Sequence, residues 1–203
     1  MKKSLLALTF AFFAFPAGAW AWSFEVSGYD WRPYVGVGVQ GSIATVEVQV
    51  PQGWNLNRAT AFGGIFDFAV GVKHERVRLE LNYFGRASLN DPVSWTLIRV
   101  VSASAESGVL ANIYYDWVSA GFFSMYVGAG AGLSRWSQST SYVYLLAPHH
   151  YERDGTDLVW NILTGMSFTI ADTVSLDFGM GYQRTLGIDF RGVNFKMGLR
   201  YTF

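Results

Sequence analysis

The side chains of this sequence best suited to acid–base or metal chemistry are its three histidines, because the chain contains no cysteine. The adjacent residues His149 and His150 could bind a metal ion, but adjacent side chains in a strand point to opposite faces and no third ligand is evident. His74 lies between Lys73 and Glu75, a setting typical of a solvated turn. No His-x-Ser pair stands at the outer end of a predicted strand, where a nucleophile and its base would be needed. We therefore predict no catalytic residue, no metal site, no cofactor and no enzymatic activity.

Three glycines, Gly36, Gly38 and Gly41, match the G-x-G-x-x-G pattern of dinucleotide-binding sites. That site requires a strand before the glycines and a helix after them, whereas these three fall inside an alternating segment. Similar glycine groups recur at residues 128–132 and 179–181. We expect them to leave room for long charged side chains in a narrow interior.

Six charged residues are spaced so that they would meet inside such an interior. By period two we expect them all to point inward, three acids facing three bases: Asp67, Glu80, Asp177, Arg78, Lys196 and Arg200. Opposite charges on neighbouring strands stabilise each other, and we expect Asp177 to lie opposite or diagonal to Arg200. The preferred interpretation is a salt-bridged plug, and the alternative is a continuous ion channel.

The strand that best fixes these orientations is residues 192–203, where apolar residues alternate with polar or small ones. Such a period of two over ~9–11 residues is typical of a strand with one face in lipid. Its apolar members are Val193, Phe195, Met197, Leu199, Tyr201 and Phe203. The segment also resembles the C-terminal assembly signal of bacterial outer-membrane barrels, carried here by Lys196, Gly198, Tyr201 and Phe203.

Seven further segments alternate in the same way, and together they predict eight strands. An open sheet edge cannot be satisfied by lipid, so eight membrane-spanning strands must close into a barrel. The predicted fold class is all-β, an eight-stranded antiparallel transmembrane β-barrel. The other predicted strands are 33–42, 62–72, 77–84, 109–117, 124–134, 158–170 and 174–184.

The beginning of the chain predicts export. Lys2 and Lys3 precede an apolar run at residues 5–15 and the small-x-small triplet Ala19-Trp20-Ala21. We therefore predict a cleaved signal peptide at residues 1–21 and a single barrel domain at residues 22–203. An aromatic content of 17%, 22 glycines and 15% charged residues suit a barrel in the outer membrane of a Gram-negative bacterium.

The connections between the predicted strands alternate between short and long. Short turns at 73–76, 118–121 and 171–173 would face the periplasm, and longer connections would face outward. The predicted outer loops are 43–61, 85–107 and 135–157, with a short one at 185–191. Aromatic girdles are expected at both interfaces, with the outer one formed by Phe62, Trp136, Trp160 and Tyr182.

Several strand segments together are similar to a known family. They are Tyr34-Val-Gly-Val-Gly38, Arg78-Leu-Glu-Leu-Asn-Tyr83, Asn112-Ile-Tyr-Tyr-Asp116, Tyr126-Val-Gly-Ala-Gly130 and Ser175-Leu-Asp-Phe-Gly-Met-Gly-Tyr182. In this order they resemble the opacity-protein and surface-antigen family of outer-membrane barrels, related to the barrel of outer-membrane protein A. The resemblance covers nearly all of residues 22–203 and implies adhesion through the outer loops, whose sequences match no known motif.

Two functions remain open from the sequence. The preferred hypothesis is an antigen or adhesin that binds a host or environmental ligand through loops 43–61, 85–107 and 135–157. The alternative is a small-pore porin or a conduit for small or apolar solutes. Expected partners are outer-membrane lipid and the barrel-assembly machinery. Nucleic acid is not expected, because the formal net charge is zero and no basic patch stands out.

Overall fold

The computed structural model describes residues 25–26, 29–47, 58–90, 93–95, 98–144, 147–187 and 190–203, so the predicted signal peptide lies outside the described residues. Three short strands, Glu25–Val26, Tyr29–Asp30 and Val93–Trp95, accompany eight long ones. The long strands are β1 (Arg32–Glu47), β2 (Arg58–His74), β3 (Val77–Asn90), β4 (Ile98–Ala120), β5 (Phe123–Tyr144), β6 (Ala147–Ala171), β7 (Val174–Thr185) and β8 (Phe190–Thr202).

The eight long strands form a closed antiparallel ring, which confirms the predicted fold class. Each strand pairs with the next along the chain, and β8 closes the ring by pairing with β1, where Thr202 lies opposite Tyr34. Because every strand has two neighbours, the ring leaves no sheet edge at the level where all eight strands are present.

The stagger of the ring follows from its register. Paired residues lead once around it from Tyr201 through Val35, Val70, Leu81, Ala111, Ala131, Trp160 and Arg184 to Arg191. The path leaves β8 at position 201 and returns at position 191, so the shear is ten residues. Eight strands with this stagger tilt by roughly 35–45° and enclose an interior that side chains can fill.

The two faces of the barrel are the reverse of those of a soluble protein. Buried positions inside include Asp67, Arg78, Asp116 and Arg200, whereas large apolar side chains are exposed outside. We name this outer band the apolar belt. Its members include Val37, Val39, Phe66, Phe68, Val70, Leu79, Leu81, Val109, Ile113, Val127, Leu133, Leu158, Ile162, Met166, Met180, Phe195, Met197 and Leu199. An exterior of this kind is stable only against a non-aqueous surrounding such as lipid.

Three tight turns connect the strands at one end of the barrel, where the sequence predicted short connections. They lie at residues 75–76, 121–122 and 172–173. Gly121 has a φ of 59°, a left-handed conformation that glycine adopts without a steric penalty. Glu75 has a φ of 48°, which is uncommon for a residue with a side chain and occurs mostly in turns.

At the other end the strands run much further than predicted, and this corrects the loop assignment. Large parts of the predicted loops are strand: 43–47 and 58–61, 85–90 and 98–107, and 135–144 with 147–157. Residues 48–57, 91–92, 96–97, 145–146 and 188–189 of those loops lie outside the described residues. On β5 and β6 the apolar belt ends at the pair Leu133–Leu158, and the pairing continues to Tyr144 and Ala147. We name the part of β4, β5 and β6 beyond the belt the outer extension.

Trp136 does not belong to the outer aromatic girdle as predicted. Its side chain is only 4% exposed, and it points inward because outward positions on β5 are odd-numbered. Its indole nitrogen donates a hydrogen bond to Asp157, at 2.7 Å. Phe62 and Tyr182 are exposed as expected. The ring of Trp160 packs against that of Tyr182 at an interplanar angle of 51°, with centroids 5.6 Å apart.

Within the described residues, no helix is long and apolar enough to cross a membrane.

Candidate functional site

The inner end of the lumen is closed around Arg78, a buried residue of β3. Its guanidinium Nη2 donates to Asp116 Oδ1 at 3.0 Å, and Lys73 Nζ donates to the other oxygen of Asp116 at 2.8 Å. The same guanidinium lies over the rings of Tyr114 and Tyr126, at 4.8 and 4.6 Å from their centroids. The two ring centroids are 5.7 Å apart, so the rings meet the guanidinium from neighbouring directions. Cation–π contacts of this kind are stronger away from water, so both rings contribute to the closure. We name these five residues the inner plug.

Glu80 lies next to the inner plug and is held by hydroxyl groups rather than by a base. Tyr34 Oη donates to its Oε2 at 3.1 Å, and Tyr114 Oη donates to its Oε1 at 3.0 Å. A carboxylate that accepts two such bonds is fixed in orientation. Glu80 therefore joins β1, β3 and β4 across the lumen.

The tyrosine rings fit because glycines lie beneath them. A Cβ atom on Gly71 would approach the ring of Tyr34 to 2.5 Å, and one on Gly128 would approach Tyr114 to 2.6 Å. The expectation for the G-x-G-x-x-G segment holds only in part. Gly38 does make room for a charged side chain, since its Cβ would lie 2.7 Å from Asp67, whereas Gly41 points outward into open space.

Asp67 is the second centre of charge in the lumen. Lys196 Nζ donates to its Oδ1 at 2.7 Å, and Gln40 donates to its Oδ2 at 2.9 Å. Asn82 adds a third donor at 3.2 Å. Because the carboxylate of Asp67 is almost fully buried, these three donors supply the hydrogen bonds that water would otherwise provide.

Arg200 and Asp177 form a third pair. The register places Asp177 opposite Gly198, so Arg200 is its diagonal neighbour, and the charged atoms lie 3.3 Å apart. Arg200 also donates to Ser167 Oγ at 2.8 Å, and its guanidinium lies 5.5 Å from the ring centroid of Tyr34.

The outer end of the lumen has a separate closure, which we name the outer cap. Arg86 Nη1 donates to Glu106 Oε2 at 2.8 Å, and Thr185 donates to the other oxygen at 2.7 Å. Phe190 is fully buried with its ring centroid 4.0 Å from the Arg86 guanidinium carbon. The cap thus connects β3, β4, β7 and β8 with one ion pair and one aromatic ring.

A polar chamber of about 50 Å³ lies between the two closures. Within the described residues, the amide oxygens of Asn112, Asn161 and Asn194 have no hydrogen-bond partner, and all three side chains line the chamber. A polar cavity of this size suits a few ordered water molecules. Between the two closures, the described lumen is filled by side chains except for small polar cavities, of which a second one of about 20 Å³ lies beside Asp67 and Lys196.

The structure places all six predicted lumen residues on the inward side. It pairs Asp67 with Lys196 and Asp177 with Arg200. Arg78 instead binds Asp116, and Glu80 is held by two tyrosine hydroxyls. Sequence analysis did not assign Asp116, the carboxylate that Arg78 binds, although period two already pointed it inward on the predicted strand 109–117. It missed Arg86 and Glu106 because they lie beyond the predicted ends of β3 and β4.

For the predicted assembly signal, Lys196 and Gly198 point inward and Tyr201 and Phe203 point outward. Their role in assembly stays a prediction.

One polar cluster lies on the outer extension. Ser141 Oγ and His150 Nδ1 are 3.2 Å apart, and His150 Nε2 is 3.0 Å from Glu152 Oε1. Sequence analysis missed Ser141 because it is on β5, nine positions before His150, and becomes its cross-strand partner only once the register is known. Among the described residues, no group of three or more histidines and acids could hold a metal ion.

The fold is similar to that of several solved structures. Neisserial surface protein A is 20% identical, with a TM-score of 0.49 over 84% of this chain and 97% of its own. The attachment invasion locus protein Ail of Yersinia pestis, solved with the heparin analogue sucrose octasulfate, is 13% identical, with a TM-score of 0.49 over 85% of this chain and 99% of its own. The outer membrane protease OmpT of Escherichia coli is 9% identical, with a TM-score of 0.40 over 85% and 96%.

These likenesses concern the fold alone. No protein-family model matches the sequence, and no curated protein sequence is similar to it. One of the three similar structures is a protease and another is an attachment protein, so the comparison does not decide whether this chain is an enzyme.

Proposed function

We propose that this chain is an outer-membrane surface protein whose outer extension binds molecules outside the cell. The apolar belt supports a position in the membrane, because such a surface is stable only in lipid. The short turns at one end and the long strands at the other support an orientation with the extension outside, since outer-membrane barrels keep short turns in the periplasm.

The observation that carries the proposal is the length of the outer extension. Beyond the last apolar pair, β5 runs from Ser134 to Tyr144 and stays paired with β6 throughout. Eleven residues in a strand, Ser134 to Tyr144, extend by roughly 36 Å along the strand. A paired sheet of that length, rich in serine on β5, holds polar groups at a fixed place away from the lipid.

The alternative of a conduit is disfavoured by the contents of the lumen. The inner plug and the outer cap are each held by a buried ion pair, and the chamber between them has a volume of about 50 Å³. Opening a path would require both ion pairs to break or move, which leaves charges without partners in a confined interior.

Shortening the β5–β6 hairpin tests the proposal. Replacing residues 137–154 by Asn-Gly removes most of the extension and keeps the pairing of Trp136 with Gly155 below it, since Asn-Gly favours a two-residue hairpin turn. Cells that carry the full protein should adhere to extracellular-matrix or host-cell surfaces better than cells that carry the shortened one.

The matched control changes the other end of the barrel. Glu75→Gly, in a turn where the left-handed backbone suits glycine, should leave both adhesion and assembly unchanged. Both variants should migrate as folded barrels in unheated gels. Equal adhesion by cells that carry the full and shortened proteins, on every surface tried, would contradict the proposal.

A further inference from the structure

The cluster on the outer extension has the connectivity of a hydrolytic triad. Ser141 and His150 are directly opposite each other in the β5–β6 register, and Glu152 lies two residues along β6 on the same outward face. The serine oxygen contacts Nδ1 of the imidazole at 3.2 Å, and the glutamate contacts Nε2 at 3.0 Å. A nucleophile next to a base, with the base oriented by a third group, is the arrangement that activates a hydroxyl.

The contacts select one tautomer of His150. A carboxylate only accepts hydrogen bonds, so Glu152 requires the proton on Nε2, and Nδ1 is left with a lone pair. That lone pair faces Ser141 Oγ and can accept its proton. The neighbouring His149 lies on the opposite face of β6, because outward residues of this strand are even-numbered, so it cannot accept the proton of Ser141.

A groove adjoins the triad on the same outer face. It has a volume of about 1040 Å³, and Glu152 lies at its rim with Ser139, the cross-strand partner of Glu152. Its floor consists of small side chains, among them Ala103 and Ala105, so an extended chain can lie close to the sheet. The other end is lined by Phe62 and Leu89, which are both exposed.

This groove is continuous with the apolar belt. Phe62 lies on the same outward face of β2 as Phe66, an exposed belt residue four positions further along the strand. An apolar chain could therefore extend from the membrane surface along the groove toward Ser141. The occupant that fits such a path is the acyl chain of an amphiphile, with its polar end at the triad.

We propose that Ser141, His150 and Glu152 form a hydrolytic site for carboxylic esters whose acyl chain lies in this groove. Ser141 Oγ attacks the ester carbonyl carbon while its proton passes to His150 Nδ1. The bond to the alkoxy oxygen then breaks, and the leaving alcohol takes that proton. Water attacks the acyl-serine, gives one proton to Nδ1 and releases the carboxylic acid, and the proton returns to Ser141 Oγ.

The roles of the three residues differ. Ser141 and His150 are catalytic residues because they contact the reacting atoms. Glu152 is a positioning residue, which holds the imidazole and stabilises its positive charge during the reaction. The side chains of His150 and Glu152 are 56% and 75% exposed, so solvent weakens their pairing and the activity should be modest.

Hydrolysis of p-nitrophenyl esters by the full chain in lipid nanodiscs tests the proposal. Rates above the empty nanodisc are expected for the octanoate. His150→Ala should lower this rate about 100-fold, the lower range for loss of a general base. Glu152→Gln should lower it about fivefold, the scale of an exposed ion pair, and Glu152→Asp should restore part of the loss.

Matched controls keep the fold and the local chemistry. Thr156→Val removes a hydroxyl on the same outward face of β6 outside the groove. His149→Ala removes the adjacent imidazole, and neither change should alter the rate. A fluorophosphonate probe followed by mass spectrometry should label Ser141, and His150→Ala should abolish that label. Equal rates for Ser141→Ala and the unchanged protein, or a label that is not on Ser141, would overturn the proposal.

The groove has its own test. Ala105→Phe places a ring on the groove floor and should lower the octanoate-to-acetate rate ratio at least about tenfold, because pocket fit discriminates strongly between acyl chains. The acetate rate should stay unchanged, since the short ester needs only the triad. An unchanged ratio would exclude the groove as the acyl site. Adhesion, measured on the same cells, separates failure of this proposal from failure of the surface-binding function.

Discussion

At the scale of single residues, the interior depends on charged side chains that each have several partners. Arg78 contacts Asp116, Tyr114 and Tyr126 at once, and Asp116 also accepts a bond from Lys73. Arginine suits this position because its planar guanidinium can stack on rings while its edge donates hydrogen bonds. A lysine would supply the charge without the stacking.

Replacing Arg78 should therefore destabilise the barrel strongly. Arg78→Ala leaves Asp116 buried with a single partner, and breaking a buried pair costs about 3–5 kcal/mol. Urea unfolding in lipid vesicles, followed by tryptophan fluorescence, would measure this loss. The matched control is Lys73→Ala, which removes the other base from Asp116. Its side chain is 31% exposed, so its loss should be much smaller.

A mutant cycle identifies the partner of Arg78. The double change of Arg78→Ala with Asp116→Ala should recover part of the stability lost in Arg78→Ala, because no unpaired carboxylate remains. The same cycle on Arg200 and Asp177 should give a smaller coupling, since the Asp177 side chain is 15% exposed. Strict additivity of the Arg78 and Asp116 effects would contradict this account of the inner plug.

At the scale of strands, the sequence predicts the parts that face lipid much better than the parts that lie beyond the apolar belt. Strand β3 was predicted to end at Phe84 because Leu79, Leu81 and Tyr83 alternate with polar residues. In the structure the strand continues to Asn90. In this added part Arg86 and Ser88 point inward, but the outward residues Gly85 and Ala87 are too small to show an alternation of large apolar and polar side chains. Beyond the belt the lipid no longer requires apolar residues outside, so the period-two signal fades.

The same limit explains which residues of the candidate sites the sequence could place and which it could not. Alternation was enough to place Asp67, Arg78 and Lys196 inside, because each lies within a belt strand. It could not pair Ser141 with His150, since cross-strand neighbours depend on where the hairpin turns. Trp136 shows that composition alone can mislead. It was assigned to the girdle because it is an aromatic residue near a strand end, although its even number places it on the inward face of β5.

The strand assignment of the outer extension leads to a labelling prediction. The chain has no cysteine, so a single introduced thiol gives an unambiguous signal. Ser139→Cys should react with a membrane-impermeant maleimide on intact cells, because this residue lies on the outer extension. Glu75→Cys, in the turn at the opposite end, should react only after the outer membrane is permeabilised. Reversed accessibility would invert the proposed orientation.

At the scale of the whole molecule, buried side chains fill the described lumen at two separate levels. The inner plug and the outer cap lie at different levels and share no residue, so loss of one leaves the other in place. Arg78 is the centre of the inner plug and is 2% exposed, and Arg86 is the centre of the outer cap and is 4% exposed. Ion flow would have to pass both.

This arrangement predicts the electrical behaviour. The unchanged protein in a planar bilayer should show no stable conductance steps, and Arg78→Ala alone should change little because the outer cap remains. Combining Arg78→Ala with Arg86→Ala should produce conductance, provided that circular dichroism shows retained strand content. Large, stable steps in the unchanged protein would favour the conduit over a closed scaffold.

The pairing of Tyr34 with Thr202 also constrains how the barrel can assemble. Strand β1 can complete its pairing only after β8 has been formed, so closure of the barrel depends on a contact between the two ends of the sheet that are furthest apart in sequence. Contacts of such large sequence separation are slow to form, because the intervening chain loses entropy before they contribute. Until β8 arrives, β1 and β8's other neighbour, β7, each present a bare row of backbone donors and acceptors that hydrocarbon cannot satisfy. The sheet must therefore close before its strands enter an apolar layer, or while they do so, because water satisfies an open edge and hydrocarbon does not.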